Sequence, residues 1–269
     1  EIGAEPVVAH RHLEIGIGGG DQPRGEGAIA GASDGPHAVM LQCAQQPGLE
    51  LERHFADLFA TVKRAPAALA DQLREVVGVS DVQTTIEQIV RIQIRGNSDP
   101  VLGQLIGIDR LKPPRLNQIS VLSGRNLFDN DDAATTTQDT IDALISAGFA
   151  QARGLKAGDT VGALVNGRHR TLRIIGTAVS PEFVFAGLWG MPDQRGFGIF
   201  WVDQTVLAAA YDMQGAFNTV AVQLAPAAAR RAGEPEVIEA LAEAMARYGG
   251  TPPRARVDQT SHAILDNEI

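Results

Sequence analysis

The sequence predicts an α+β fold in two lobes, one of them assembled from two separated stretches of chain. Three observations predict it. A strand, Ala-Pro, helix, glycine, strand pattern occurs at residues 56–83 and again at 218–259. The two copies are far apart, so a segment is inserted between them. That segment carries its own strand and helix signals, clearest in "GLKAGDTVGALVNGRHRTLRIIG", residues 154–176. Each copy has a helix that must cover a sheet face, so the two can pair around one sheet.

In the first copy, "ADLFATVKRAPAALADQLREVVGVSDVQ", Leu69, Leu73, Val76 and Val77 share one helical face. It continues into "TTIEQIVRIQIR" and, after a turn at residues 96–100, into "VLGQLIGID". Alternation and β-branched content make both of these antiparallel strands. "NQISVLSGRNL" reads as a further strand, and the acidic, Thr-rich "DNDDAATTTQD" as a loop. In the second copy Val237, Ile238, Leu241, Ala244, Met245 and Tyr248 line one face of a helix, with Pro235 suited to its first turn.

The insert, residues 126–216, contains "TIDALISAGFAQAR". Ile141, Leu144, Ile145 and Phe149 fall at helical spacing, so a helix is expected there, ending at Gly154 in the C′ position. After a turn at Gly158-Asp159, Asn166-Gly167 joins two alternating runs, the strongest short-range hairpin signal. Two-residue register puts Val161 and Ala163 on the same side as Leu172 and Ile174. "FGIFWVD" is a strand and "QTVLAAAYDM" a short helix. The predicted organisation is a discontinuous lobe at 54–125 plus 217–262, an inserted α+β lobe at 126–216, and a connection at 263–269.

With 269 residues, 44% apolar and 20% charged, the chain has ordinary globular composition and enough length for two cores. A net charge of −9 argues against a nucleic-acid surface, which needs a basic stripe. The single Cys43 excludes an internal disulfide and a Cys-based zinc site. No run of 18 apolar residues appears, and no basic n-region precedes an apolar stretch at the start.

Candidate chemistry is sparse. The cluster Gly16–Gly20 lacks the preceding strand and following helix that a dinucleotide turn requires. His10 and His12 alternate, but without a third ligand they read as a solvated pair. Ser261, His262 and Asp266 suggest a hydrolase set, yet adjacent Ser and His do not make the usual nucleophile–base bond, and a polar turn with Ser261 as N-cap accounts for them. Asp193, Arg195 and Glu182 lie on loops, where function concentrates, though Pro181 and Pro192 explain the same segments as turns. Phe183, Phe185, Leu188 and Trp189 make residues 181–190 unusually apolar for a connection. They form either a buried corner or an exposed contact loop. No catalytic, cofactor or metal residue is assigned, and the chain reads as a non-enzyme.

Residues 1–50 do not match the rest. Ten of the 29 glycines lie there, and no helical or strand period is sustained, so the segment is read as poorly ordered or foreign to the domain. The abrupt close at "SHAILDNEI" suggests a piece cut from between two membrane spans.

"AGFAQARGLKAGDTVGALVNGRHRTLRIIGTAVSPEFVFA", "RGFGIFWVDQTVLAAAYDMQGAFNTVAVQLAP" and "SHAILDNEI" together resemble the extracytoplasmic, MacB-like periplasmic core domain of FtsX/MacB-type ABC transporter permeases. The resemblance covers residues 54–269. It implies a porter-like lobe of two βαβ-type repeats with a mixed α/β lobe inserted. It also implies a place on the outer side of the inner (plasma) membrane, between two transmembrane helices. A separate cytoplasmic ABC ATPase subunit would hydrolyse ATP, and this domain would handle a lipid, lipoprotein or peptide or touch a periplasmic protein. Ser261, His262, Asp266 and Glu268 would then belong to the membrane-proximal connection. The chain departs from the pattern in lacking both flanking membrane helices, with residues 1–50 standing where the first belongs, so it is expected to be a fragment. A soluble ligand- or protein-binding module using the same lobes is the alternative.

Overall fold

The computed structural model describes residues 55–99, 101–129, 139–183, 187, 193–229 and 234–258. The readings of residues 1–50 and 263–269 therefore lie outside the described residues. The chain runs β1 (Leu58–Pro66), α1 (Leu69–Arg74), β2 (Val79–Thr85), β3 (Glu87–Gln93), β4 (Val101–Ile108) and β5 (Ser120–Gly124). Next come β6 (Thr140–Ser146), α2 (Ala147–Arg153), β7 (Thr160–Val165), β8 (Arg168–Val179) and β9 (Phe197–Asp203). It closes with α3 (Gln204–Ala210), β10 (Ala216–Leu224), α4 (Pro226–Ala229), α5 (Glu234–Ala246) and β11 (Arg254–Ala255). The fold is α+β.

β1, β2, β10 and β11 form one antiparallel four-stranded sheet, in the order β11-β1-β10-β2. β10 lies between β1 and β2, so each strand–helix–strand unit is split by a strand of the other, a ferredoxin-like arrangement. One face is dry. Leu58, Val62, Val220 and Val222 pack there under Leu69 and Leu73 of α1 and Val237, Leu241 and Met245 of α5. The expected helical faces are these, except at Val77, which is 92% exposed. The helix stops at Arg74, so its period no longer sets where Val77 points.

The second sheet has seven strands in the order β5-β8-β6-β9-β4-β3-β7, and β7 also pairs with β8. Six strands therefore close on themselves as a barrel, and β5 pairs with the far end of β8. Closure removes the edges that an open sheet leaves unpaired. The interior is filled by side chains, including Val90, Leu105, Ile145, Val161, Leu172 and Phe200. Strand β9 is buried on both faces: Phe200 and Val202 point inward, while Phe197, Ile199 and Trp201 join an outer core with Ile106, Leu144 and Ile175.

Two expectations are corrected here. Residues 140–146 are a strand, parallel to β8 and antiparallel to β9, and only Ala147–Arg153 is helical. Apolar residues at 141, 144 and 145 fit a helix face, but a strand buried on both faces shows the same run. The predicted end holds: Gly154 caps the helix at φ 67°. The lobe boundary also moves. β3 and β4, expected in the first lobe up to residue 125, pair instead within the barrel sheet, so the chain crosses over at Ile86. Alternation makes a strand; it does not say which sheet takes it.

The hairpin has the expected register, with Val161 opposite Leu172 and Val165 opposite Arg168. Asn166 and Gly167 have φ of 45° and 75°, as a two-residue turn of this hand requires. Asn166 also donates from Nδ2 to the Ala210 carbonyl at 2.8 Å, tying the turn to the end of α3. A Cβ at Gly167 would meet nothing within 4 Å, so substitution there is a test of backbone strain alone. Gly167→Val should cost about 1–2 kcal/mol in urea unfolding, whereas Gly167→Asn should cost much less. Equal effects would mean that φ is not what the position demands.

Candidate functional site

The two sheets meet at Ile86, which is fully buried between β2 and β3. Thr85 donates from Oγ1 to the Gly107 carbonyl, and the Gly107 N–H donates to Ile86 at 2.8 Å. Asn218 of β10 clamps the backbone of Glu87 from both sides: its Oδ1 accepts the Glu87 N–H and its Nδ2 donates to the Glu87 carbonyl, each at 2.8 Å. A side-chain amide suits this place because it offers one acceptor and one donor side by side.

A second tie runs through the segment after β4. Leu116 packs with Phe55, Phe59 and Ala221 on the helix-free side of the small sheet. Gln83 of β2 accepts the N–H groups of Arg115 and Leu116 at 2.9 and 3.0 Å. Asn117, buried and at φ 50°, accepts the Ala56 N–H at 2.9 Å and donates from Nδ2 to Glu182 Oε2 at 2.6 Å. Ser180 donates to the Asn117 carbonyl at 3.2 Å. One asparagine thus links the start of the small sheet to the turn that follows β8.

Between these ties lies a cavity of about 380 Å³, walled by Thr84, Thr85, Thr219 and Ala221 from the small sheet, Ile106 and Trp201 from the barrel, and Asn117 and Ser180. Its most unusual residents are two glutamates, Glu87 and Glu182, each only partly accessible. Glu87 Oε2 accepts from Gln104 Nε2 at 2.6 Å. Burial pushes the Glu87 carboxyl up from 4.5 to about 7, against the lowering effect of that bond. Burial also holds the Glu182 carboxyl well above the usual carboxylate range. The neighbouring Glu87 charge adds to this, and the Asn117 bond opposes it. The two titrate as a pair.

The pH dependence of stability follows from that sign. A carboxyl with a folded pKa above its unfolded value binds more protons folded than unfolded, so its contribution is full below about pH 4.5 and is lost as pH rises towards 7. Roughly 2–3 kcal/mol is expected to go through this window, allowing for partial access of water. Urea titrations at a series of pH values check it: Glu87→Gln should flatten the slope between pH 5 and 7. An unchanged slope would place the titration elsewhere.

Of the described residues singled out in the sequence, Phe183 lines this cavity together with Glu182. Phe183 sits beside it in a short 3₁₀ turn (Pro181–Phe183) and packs edge-on to Trp201 at 6.4 Å. Phe185, Leu188 and Trp189 lie outside the described residues, as do His10, His12, Cys43, Ser261, His262, Asp266 and Glu268. Asp193 serves its own turn, accepting the N–H groups of Arg195 and Gly196 at 3.1 and 2.7 Å. Glu87, Gln104, Asn117 and Asn218 carry no local sequence signal for their places here. In "TTIEQIVRIQIR" Glu87 occupies an ordinary polar slot, and nothing local reveals that another sheet covers it. Among the described residues, no group of three His, Cys, Asp or Glu side chains is placed to hold a metal ion, and no helix is long and apolar enough to cross a membrane. The arrangement places two partly accessible carboxyls in one cavity.

No family model matches the chain, and no curated protein matches it. Solved structures do resemble it, at low identity. The extracellular domain of the noncanonic ABC-type transporter YknZ from Gram-positive bacteria is 16% identical, with a TM-score of 0.43, over 74% of this chain and 98% of the other. The periplasmic region of MacB from Actinobacillus actinomycetemcomitans is 13% identical, with a TM-score of 0.44, over 82% and 96%. A domain from Porphyromonas gingivalis described as part of a permease protein is 16% identical, with a TM-score of 0.42, over 76% and 93%. These three are the extracellular domain of an ABC-type transporter, the periplasmic region of MacB and a domain ascribed to a permease.

Proposed function

We propose that residues 55–258 are the outer domain of an ABC transporter permease. In this reading the four-stranded sheet and its helices are the porter-like lobe of two repeats, and the barrel is the inserted lobe. The observation that carries the reading is where the domain's two ends lie. β1 and β11 are antiparallel neighbours, with Leu58 opposite Ala255, and the Arg256 N–H donates to the Asp57 carbonyl at 2.8 Å. Arg256 also approaches the Asp57 carboxylate at 3.6 Å. Both connections therefore leave from one corner, as a domain carried between two neighbouring membrane helices requires. A displacement of those helices would enter the first and last strands together and pass through the sheet to the barrel.

The parent protein would sit in the inner (plasma) membrane with this domain on the periplasmic side. A separate ATPase subunit would drive it, and a lipid, lipoprotein or peptide would be its load. The domain's role is mechanical rather than catalytic. The cavity between the sheets favours a second reading, a ligand-binding module. Sequencing the coding region on both sides separates the two. Apolar runs of about 20 residues flanking the domain, with the full-length product in the membrane fraction, are expected for the permease. A full-length product without such runs, recovered in the soluble fraction, would exclude it.

A further inference from the structure

We propose that the cavity takes a short free peptide, which adds in extended form to the outer edge of β2 with its amino end towards Glu87. The inference rests on the ligand-binding reading of the cavity and not on the transporter reading. It starts from where the cavity runs. Val82, Gln83, Thr84 and Thr85 of β2 all line it, although side chains in a strand alternate between faces. Only the strand's edge is common to all four, so the cavity lies along that edge. β2 is the last strand of its sheet and pairs only with β10 on its other side. The opposite wall is the chain after β4, through Gly107, Asp109, Lys112 and Arg115.

Backbone groups of an antiparallel edge strand point alternately to the neighbour and outwards. At Val82 they point outwards: the N–H donates to Asp81 Oδ1 at 2.8 Å, and the carbonyl accepts from Arg74 Nη2 at 2.9 Å. Ile86, of the same parity, accepts the Gly107 N–H at its carbonyl. Thr84 lies midway, so its N–H and carbonyl face the cavity, and among the described residues neither has a partner. The edge is thus closed at both ends and open at one residue. One N–H and one carbonyl are what an antiparallel partner residue needs to exchange two hydrogen bonds. From Val82 to Ile86 a strand covers about 14 Å, and an extended tripeptide about 10 Å. A longer chain would meet Arg74 or Gly107, so the occupant brings both termini into the cavity.

The charges at the two ends fix its direction. Beyond Ile86 stands Glu87, whose Oε2 accepts from Gln104, and a carboxylate has acceptor capacity for an ammonium besides. Glu182 adds a further carboxyl to the wall. The Val82 end is basic. Arg74 and Arg115 both reach Asp81, at 3.8 and 2.7 Å, and Lys112 is exposed at the rim three residues before Arg115. Asp109 is engaged with the Leu111 and Lys112 N–H groups. A peptide with its ammonium at Glu87 and its carboxylate at Lys112 runs antiparallel to β2, the direction in which one residue can answer both groups of Thr84.

The test titrates the ¹⁵N-labelled full chain with trialanine. The Thr84 amide resonance is expected to shift and to exchange more slowly with solvent, whereas Val82, already bonded to Asp81, should change less. Thr84→Pro removes the N–H at an edge position and should weaken binding roughly 5- to 10-fold. Lys112→Ala, which lies outside the sheets, should weaken trialanine roughly 2- to 5-fold and leave trialanine amide unaffected, because the amide has no carboxylate. Cadaverine, a diamine without peptide groups, is the control for charge alone. Cadaverine binding as tightly as trialanine would overturn the peptide and leave the cavity a ligand site. Unchanged trialanine affinity in both variants would overturn it too. Silence towards both probes would remove the ligand-binding reading along with it.

Discussion

Phe149→Ala is expected to cost about 3–5 kcal/mol in urea or thermal unfolding. Phe149 is 1% exposed on α2, and its ring meets Phe200 edge-on at 5.8 Å inside the barrel. The room for it comes from Gly198 of β9, where a Cβ would stand 2.8 Å from the ring. Gly198 pairs with Gly103 of β4, where a Cβ would likewise meet Ile92 and Phe200 at 2.7 and 2.9 Å. The barrel thus omits two side chains so that the aromatic ones fit. Gly198→Ala should be destabilising by about 1–3 kcal/mol in the wild type and by less in the Phe149→Ala background. Additive losses would show that glycine and ring do not share the space.

The second large effect is expected at Asp142 on β6. Its carboxylate is buried and accepts from Arg125 Nη2 at 2.8 Å and Arg173 Nε at 2.6 Å. Each arginine side chain keeps nearly a third of its surface, so the pair is half-sheltered rather than sealed. Asp142→Ala should destabilise by about 3 kcal/mol, the low end for breaking a buried pair, because two guanidinium groups lose their shared acceptor. Asp142→Asn keeps an acceptor and should lose less. Equal losses in chemical denaturation would mean that packing, not charge, holds this position.

These two sites differ in how far the sequence announces them. Phe149 was legible as a core residue from its spacing, although it was placed one element too generously on a helix that begins only at Ala147. Asp142 was not legible, since a carboxylate in "TIDALIS" looks like the exposed edge of a helix. Its partners come from residues 125 and 173, and only the pairing of β6 with β8 brings Arg173 alongside. The two cavity glutamates repeat the lesson. Glu182 stood out as a polar residue in an apolar loop. Glu87 did not, because its environment is made by Asn218, far away in the chain.

What the sequence by itself determined was local: the α+β class, the Asn166-Gly167 turn and the Gly154 cap. Each is written in a few consecutive residues through backbone φ, turn chemistry or a short hydrophobic period. Only the tertiary structure decided that residues 140–146 are a strand, that β3 and β4 belong to the barrel, that β7 closes it against β8, and that two acids share one cavity. Those outcomes depend on which strands pair and what covers them. Pairing is a competition among distant segments with similar apolar patterns, and burial of a charge is a property of its neighbours, so neither is carried by the residue itself.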